Sequence, residues 1–382
     1  MSLFIIAYFI VLSAMYGFMV WRLHAAWPDY RWPWIALAAW SIFMIFAPIL
    51  SRFLMRDGGF QISRALYVTG FTWFIIGFWF LVMGILLLAW NGALTGLGHW
   101  LGDRADKFIV PPRVQFPAIF AIIILLCAYG LYEASTLRVT RLIIETDSLP
   151  AGRDSARIVF ISDVHIGAVM PVGRIENIVE AIRAENPDLL VSGGDLLDFH
   201  PDRLQAELAM LQSVDPPLGK FAVTGNHEFY GHSAESLQFH RDAGFRLLRG
   251  ESVLVDGWLR VGGVDDPAAK MEGANPKAQE KKLAGENFPG EQSFYLFLKH
   301  QPIVTPGMQE RFNLQLSGHI HGGQVYPFRY MVAMVYRYMT GRHELAPGRT
   351  LFVTRGTGTW GTPLRVLAPP ELTIIDLVRP KP

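Results

Sequence analysis

Thiol is almost missing from this chain. Its 382 residues include one cysteine, Cys127, and that one lies inside an apolar run. A lone cysteine excludes an intrachain disulfide and any thiolate-rich metal site. An excess of one charge is missing as well. The 34 Lys and Arg residues are balanced by 33 Asp and Glu, the net charge is +1, and no long block of like charge occurs. Without a basic surplus there is no electrostatic footprint for nucleic acid. Charged residues as a class are sparse, at 18%, whereas apolar residues make up 51%. That balance is too apolar for an ordinary water-soluble protein, and the length exceeds one average domain, so two parts in two different solvents are expected.

The apolar surplus is concentrated in residues 3–21, 34–50, 66–90 and 116–132, which are nearly free of charge. Each run approaches the roughly 20 residues that span a hydrocarbon core, so four membrane helices are expected. Trp21, Trp34, Trp90 and Tyr132 sit near their ends, where amphipathic rings anchor at the interface. A cleavable signal peptide fits less well, because no basic region precedes the first run and three more runs follow it. The shorter runs, 34–50 and 116–132, also suit re-entrant or interfacial segments.

Four spans put the N-terminus and everything after Tyr132 on one side. Arg22, Arg31, Arg104, Lys107 and Arg113 in one set of loops are matched by Arg52, Arg56, Arg64, Arg138 and Arg141 in the other, so the count of basic residues does not orient the chain. The first run has its basic flank on the C-terminal side, which favours an extracytoplasmic position for the rest. The expected division is a four-helix transmembrane domain over residues 1–133 and a globular α/β domain over 134–382.

In the second part, residues 156–162, 187–194 and 219–225 are apolar runs of strand length that end in turn residues. Residues 174–186 and 202–214 carry apolar positions three and four apart, as amphipathic helices do. Strand and helix in alternation predict βαβ units and a sheet buried by helices. Further strands are expected at 258–262, 293–299, 314–317, 350–354 and 371–377, and a mobile surface loop rich in Gly, Pro, Lys and Glu at 264–292.

The chemistry sits where the strands end. Asp163-Val164-His165 follows the first, Gly194-Asp195 the second, and Gly225-Asn226-His227-Glu228 the third; Lys299-His300-Gln301 and Ser317-Gly318-His319-Ile320-His321 come later. Open α/β sheets bind ligands beyond the carboxyl ends of their strands, so these clusters should converge. Asp163 and His165, like His319 and His321, stand two apart, which in extended backbone points both side chains to one face. The set offers carboxylates from Asp163 and Asp195, the Asn226 amide oxygen, and the imidazoles of His165, His300, His319 and His321. Oxygen and nitrogen donors without thiolate suit Mn, Fe or Zn. There are too many donors for one ion, and two divalent ions bridged by one carboxylate are expected. Such a pair activates a water to hydroxide and clamps the oxygens of an in-line displacement at phosphorus.

The motifs DVH, GGDLLD, GNHE, the isolated histidine of FLKHQP and GHIH, in that order, resemble the calcineurin-like metallophosphoesterase superfamily. The GGQ after GHIH and the run LFVTRGTGTWGTPLRVLAPPEL (351–372) are similar to its YkuE/YaeI-type branch of bacterial phosphodiesterases. The resemblance covers residues 140–378 and implies an αββα sandwich of two mixed sheets flanked by helices. It further implies that Asp163, His165 and His321 hold one metal, that Asn226, His300 and His319 hold the other, and that Asp195 bridges them. His227 would act as general acid, with Asp198 setting its tautomer. The glycines at 193, 194, 225, 318, 322 and 323 would let phosphate approach the backbone.

Several residues carry two readings. Lys299 is either a phosphate ligand or a solvated strand-end lysine, and Arg355 and Arg365 either bind phosphate or brace the C-terminal strands. Histidines 24, 99, 200, 232, 240 and 343 match no ligand position and are expected at surfaces or interfaces, with His200 and His232 placed to line the cleft. Residues 326–342 interleave Met331, Val332, Met334, Val335 and Met339 with three tyrosines and with Arg329, Arg337 and Arg342. They suit either a core-facing helix or one lying in a headgroup layer and walling the cleft.

The functional expectation is a phosphoesterase held in a bacterial inner (plasma) membrane. Its substrate would be a phosphate ester or pyrophosphate, lipid-linked or envelope-derived, with the bilayer as partner and no nucleic acid. The alternative is a membrane sensor, scaffold or transport-associated protein that uses the same fold for binding only; the complete donor set with His227 and the near absence of ionisable residues in the spans argue against it.

Overall fold

The computed structural model describes residues 2–56, 60–101, 105–167, 169–198, 203–287 and 292–380. The chain divides into two compact units, Met1–Tyr129 and Gly130–Pro382.

The first unit contains α1 (Ser2–Ala26), α2 (Arg31–Arg56), α3 (Phe60–Leu101) and most of α4 (Pro112–Ser135). All four helices are long and apolar enough to cross a membrane. The run expected at 66–90 is only the middle of α3, which has 42 residues. At 1.5 Å per residue it extends about 63 Å, about twice a hydrocarbon core, so part of it lies outside the apolar layer. Beyond the run, the Asn91 amide is spent on backbone, donating to Val110 O (2.8 Å) and accepting from Val110 N (3.0 Å). Small residues set the packing within this unit. A Cβ at Gly77 would lie 2.7 Å from a Tyr16 ring carbon, and one at Gly84 2.5 Å from a Phe18 ring carbon, so these glycines let α1 approach α3.

The second unit begins in the last turns of α4 and runs through β1 (Arg138–Glu145), β2 (Ser155–Ile161), α5 (Val172–Ala184), β3 (Leu189–Ser192), α6 (Gln205–Gln212), β4 (Lys220–Ala222), α7 (Ser233–Asp242), β5 (Arg246–Leu247) and β6 (Glu251–Val255). It continues through β7 (Leu259–Gly263), α8 (Pro276–Gly285), β8 (Phe294–Leu298), α9 (Pro306–Gln309), β9 (Leu314–Ser317), α10 (Phe328–Ala333), β10 (Gly341–Ala346), β11 (Arg349–Val353) and β12 (Glu371–Val378). Two sheets result, ordered β1-β12-β2-β3-β4-β5 and β10-β11-β9-β8-β7-β6. Each mixes parallel with antiparallel pairs. In the first, the β12–β2 pair is antiparallel and the other pairs are parallel; in the second, the edge strands β6 and β10 are the antiparallel ones.

Strand periodicity explains the layering. In β2, Ile158 and Phe160 turn toward the other sheet and join Val261, Leu296, Leu316 and Phe352 in one core. Val159 and Ile161 turn the other way, onto Ile175, Ile178, Val179 and Ile182 of α5, whose three-and-four spacing forms one helical stripe. On the far side, Phe297 and Tyr295 of β8 meet Leu283 of α8 and Met308 of α9. The order is therefore helices, sheet, sheet, helices.

The loop expected at 264–292 is largely structured. A 3-10 turn spans Pro267–Glu272 and α8 follows it; residues 288–291 lie outside the described part. Each piece has its start signal, because the Asp266 side chain accepts Ala268 N, Asn275 accepts Ala278 N, and a proline follows each cap. Composition concealed the caps.

Candidate metal centre and active site

The sequence clusters follow the C-terminal ends of β2, β3 and β4, neighbouring parallel strands of one sheet, and of β8 and β9, neighbouring parallel strands of the other. They meet in two groups. In the first, His165 Nε2 lies 3.0 Å from His321 Nε2, which is 3.3 Å from Asp163 Oδ1. In the second, His319 Nδ1 lies 3.1 Å from His300 Nε2, which is 3.2 Å from Asp195 Oδ2. That Asp195 oxygen is also 3.9 Å from His165 Nε2, so it faces both groups.

The spacing fits ions. Two donors each about 2.1 Å from one metal and at right angles to each other stand about 3 Å apart. Buried chemistry fits as well. Asp163, His165, Asp195 and His300 are at most 2% exposed, and the Asn226 amide oxygen is buried with no hydrogen-bond donor reaching it among the described residues. An orphaned amide oxygen costs desolvation that a cation would offset.

Second contacts aim the donors. His300 Nδ1 donates to Gly193 O (2.8 Å), which leaves Nε2 for the centre. Asp198 Oδ1 takes His165 Nδ1 at 2.6 Å and His227 Nδ1 at 2.9 Å, so one carboxylate orients two imidazoles. Asp163 accepts the Ser162 hydroxyl at 2.6 Å and the His319 N–H at 2.9 Å, joining the turns after β2 and β9. Asp195 Oδ1 accepts the His227 N–H at 2.8 Å.

Burial pushes the Asp198 carboxyl up, but the imidazoles of His165 and His227 outweigh it and bring the group to about 2. Burial likewise pushes His227 down, and Asp195 and Asp198 together raise it to about 9, so it carries a proton at neutral pH. His319 is driven to about 3 by burial and by His300, and is therefore neutral, with a lone pair to offer. The His227 ring is edge-on to Tyr230 (5.3 Å) and Trp360 (5.8 Å), and Tyr336 approaches His319 at 5.5 Å.

The local backbone departs from expectation. Asp163, His165, His319 and His321 are not in extended strand; their φ angles are 54°, 53°, 71° and 49°. Each pair sits in a tight turn beyond the strand, in the sparsely populated left-handed region, and His319 and His321 point into different groups. The glycines also have another task. A Cβ on Gly225 would stand 2.1 Å from Asp195 Oδ1, and one on Gly318 2.1 Å from Asp163 Oδ2, so these two glycines clear space for the carboxylates.

Other side chains resolve differently from either reading or from the expected one. Lys299 is buried and ion-paired with Glu280, both oxygens at 2.9 Å, so it is not a solvated lysine and its ammonium is committed to a carboxylate. Arg355 bonds Glu371 at 2.9 Å, and the fully buried Arg365 donates to the carbonyls of Gly358, Ala368, Arg355 and His321 and to His321 Nδ1. Both brace the closing segment. His240, expected at a surface, is fully buried against Glu228 at 3.3 Å. His232 is exposed, and His200 lies outside the described residues. Glu228, given no role by the sequence, is fully buried and accepts the N–H groups of Asp195, Leu196 and Gly225. Its place in GNHE marks it as polar and near the site; nothing local says that it points inward.

Residues 156–323 match the family model described as calcineurin-like phosphoesterase. A metallophosphoesterase of Aquifex aeolicus is 38% identical over 257 residues, covering 67% of this chain and 97% of that protein. A "transmembrane protein with metallophosphoesterase domain" from Danio rerio is 30% identical over 302 residues, covering 75% of this chain and 68% of that one. The Bacillus subtilis metallophosphoesterase YkuE is 30% identical, covering 64% of this chain and 87% of its own length.

Proposed function

The chain belongs to the calcineurin-like metallophosphoesterase family and is a metal-dependent phosphohydrolase, and we propose that it works from a bacterial plasma membrane, with a dinuclear centre, on a lipid-linked or envelope-derived phosphate ester or pyrophosphate. In this reading residues 1–133 anchor residues 134–382. Asp163, His165 and His321 would hold one ion and Asn226, His300 and His319 the second, with the Asp195 carboxylate facing both groups. Bound there, Mn, Fe or Zn supplies positive charge for the phosphoryl oxygens and a nucleophile at neutral pH. The observation that carries the proposal is the Asp195 carboxylate oxygen lying 3.2 Å from His300 Nε2 and 3.9 Å from His165 Nε2, between the two groups.

The protein's own residues do the rest. Water adds to phosphorus and gives up a proton to solvent, the bond to the ester oxygen breaks opposite it, and the leaving oxygen takes a proton from His227 Nε2, which solvent then restores. Asp198, on His227 Nδ1 at 2.9 Å, holds the ring with Nε2 outward and favours its protonated form. The fully buried Asp163, joined to the His319 N–H, keeps the two turns in register so that the donors stay aimed.

The test is hydrolysis of bis-p-nitrophenyl phosphate by detergent-purified full chain with Mn²⁺, before and after chelation, alongside Asp195→Ala and His227→Ala. Chelation and Asp195→Ala should abolish turnover, and His227→Ala should retain metal while losing about 10²–10⁴ in kcat. Activity that survives Asp195→Ala sinks the dinuclear assignment. A reporter fused after Pro382 reads the side of the membrane, where the basic flank of the first helix favours an extracytoplasmic result.

A further inference from the structure

The stretch after the His319/His321 turn is half core and half bare. Only Phe328–Ala333 forms a helix, shorter than residues 326–342 suggested. Val332, Tyr336, Tyr338 and Met339 pack on Ile320, Leu351 and Val353. The opposite face carries Tyr330, Met331, Met334 and Val335, and Met334 and Val335 are 80% and 75% exposed. A core-facing helix accounts for the first set and leaves the second unexplained, since exposed apolar side chains clustered on one segment mark a contact surface.

Charge and connectivity identify the occupant. Residues 325–343 contain no acidic residue, while Arg329, Arg337 and Arg342 are exposed among the tyrosines and methionines. Apolar side chains interspersed with arginine suit an anionic headgroup layer. The same strip adjoins the end of a membrane-length helix. In the last turns of α4, Gly130 O accepts Arg365 N (3.1 Å) and the Glu133 carboxylate accepts Ala368 N (3.2 Å). The segment so held bridges from Val366 to Val325, immediately before the exposed stretch, and its Leu367 is itself exposed. On its other flank the strip borders the candidate site, through Tyr336 beside His319 and through Gln324, which bonds the backbone of Trp360 beside His227.

We propose that Tyr330, Met331, Met334, Val335 and Leu367, with Arg329 and Arg337, form a second membrane-contact surface seated in anionic headgroups. The site beside His227 then faces the headgroups and takes phosphate esters carried on lipid. The choice of substrate rests on the phosphoesterase reading; the seating does not.

The experiment uses the full chain in nanodiscs containing anionic phospholipid, in a Cys127→Ala background. A bimane label is placed on Met334→Cys or Val335→Cys, positions whose side chains are exposed, and on Met271→Cys, 69% exposed on the 267–272 turn, as reference. Headgroup-nitroxide lipids should quench either of the first two by about half and leave the third unchanged. Equal emission at all three positions overturns the seating. In unlabelled protein, Met334→Ser with Val335→Ser should lower hydrolysis of phosphatidyl-p-nitrophenol in the disc by about threefold or more relative to bis-p-nitrophenyl phosphate; an unchanged ratio overturns the substrate claim. Labelled variants that quench as expected, beside unlabelled wild-type protein that hydrolyses neither ester, refute the phosphoesterase reading and leave the seating intact.

Discussion

Glu228 holds the backbone of Asp195. Its Oε2 accepts the Asp195 N–H at 3.0 Å and the Gly225 N–H at 2.6 Å, and its Oε1 accepts the Leu196 N–H at 2.9 Å and faces His240 at 3.3 Å. One buried carboxylate thus joins the turn after β3 to the turn after β4, and the distance between Asp195 and Asn226 depends on it. An acceptor with two ionised oxygens suits a place where three N–H groups point inward.

Glu228→Gln keeps the shape but offers one acceptor oxygen, so at least one buried N–H loses its partner. Stability should fall by about 1–3 kcal/mol, read by thermal unfolding in detergent. Burial pushes Glu228 up from its ordinary 4.5, but the His240 hydrogen bond and charge hold it below that value. A depressed carboxyl stabilises fully above its unfolded pKa and loses that contribution as pH falls through its folded value. The gap between wild type and Glu228→Gln should therefore be constant above pH 4.5 and shrink below it.

Asp198→Asn removes the charge that raises His227. Metal content should fall, because His165 loses the same partner, and kcat should drop by about 10–100-fold. If His227 is the acid of the proposed mechanism it must keep its proton, and wild-type turnover should decline as pH rises through about 9. In Asp198→Asn that alkaline limb should move to lower pH; a limb that stays in place excludes His227 as the group it reports.

Gly225→Ala would force a methyl to within 2.1 Å of Asp195 Oδ1, whereas a Cβ at Gly231 meets nothing within 4 Å. The first variant should lose bound metal, measured by elemental analysis, and the second should keep it.

Lys299→Ala strands the Glu280 carboxylate in a buried site and should cost about 3–5 kcal/mol. Lys299→Met with Glu280→Gln should recover most of that stability. KM for bis-p-nitrophenyl phosphate should not change in either folded variant, since the Lys299 ammonium is committed to Glu280; a raised KM would restore the phosphate-ligand reading.

The parts legible in the sequence are those where residue type and spacing coincide with a backbone period. Apolar runs mark α1 to α4, the Ile175/Ile178/Val179/Ile182 stripe marks α5, and polar clusters just after β2, β3 and β4 mark the site. The rest depends on direction or distant pairing. β1 (RVTRLIIE) is largely exposed and forms a strand because β12 lies beside it, far away in sequence. Lys299 and Glu280, or Glu228 and His240, look like surface residues until the fold turns them toward each other. The left-handed turns at Asp163 and His321 also escape a reading by alternation, because neither residue type requires positive φ.

β12 has a consequence for biosynthesis. It lies between β1 and β2, pairing Arg138 with Glu371 on one side and Phe160 with Thr373 on the other. A pairing that waits for residues 371–378 gives this sheet a high contact order. Translation therefore completes α1 to α4 well before the sheet that presents Asp163 and Asp195 can close. A nascent chain thus has all four long apolar helices before residues 371–378 are made and the sheet behind Asp163 and Asp195 can close.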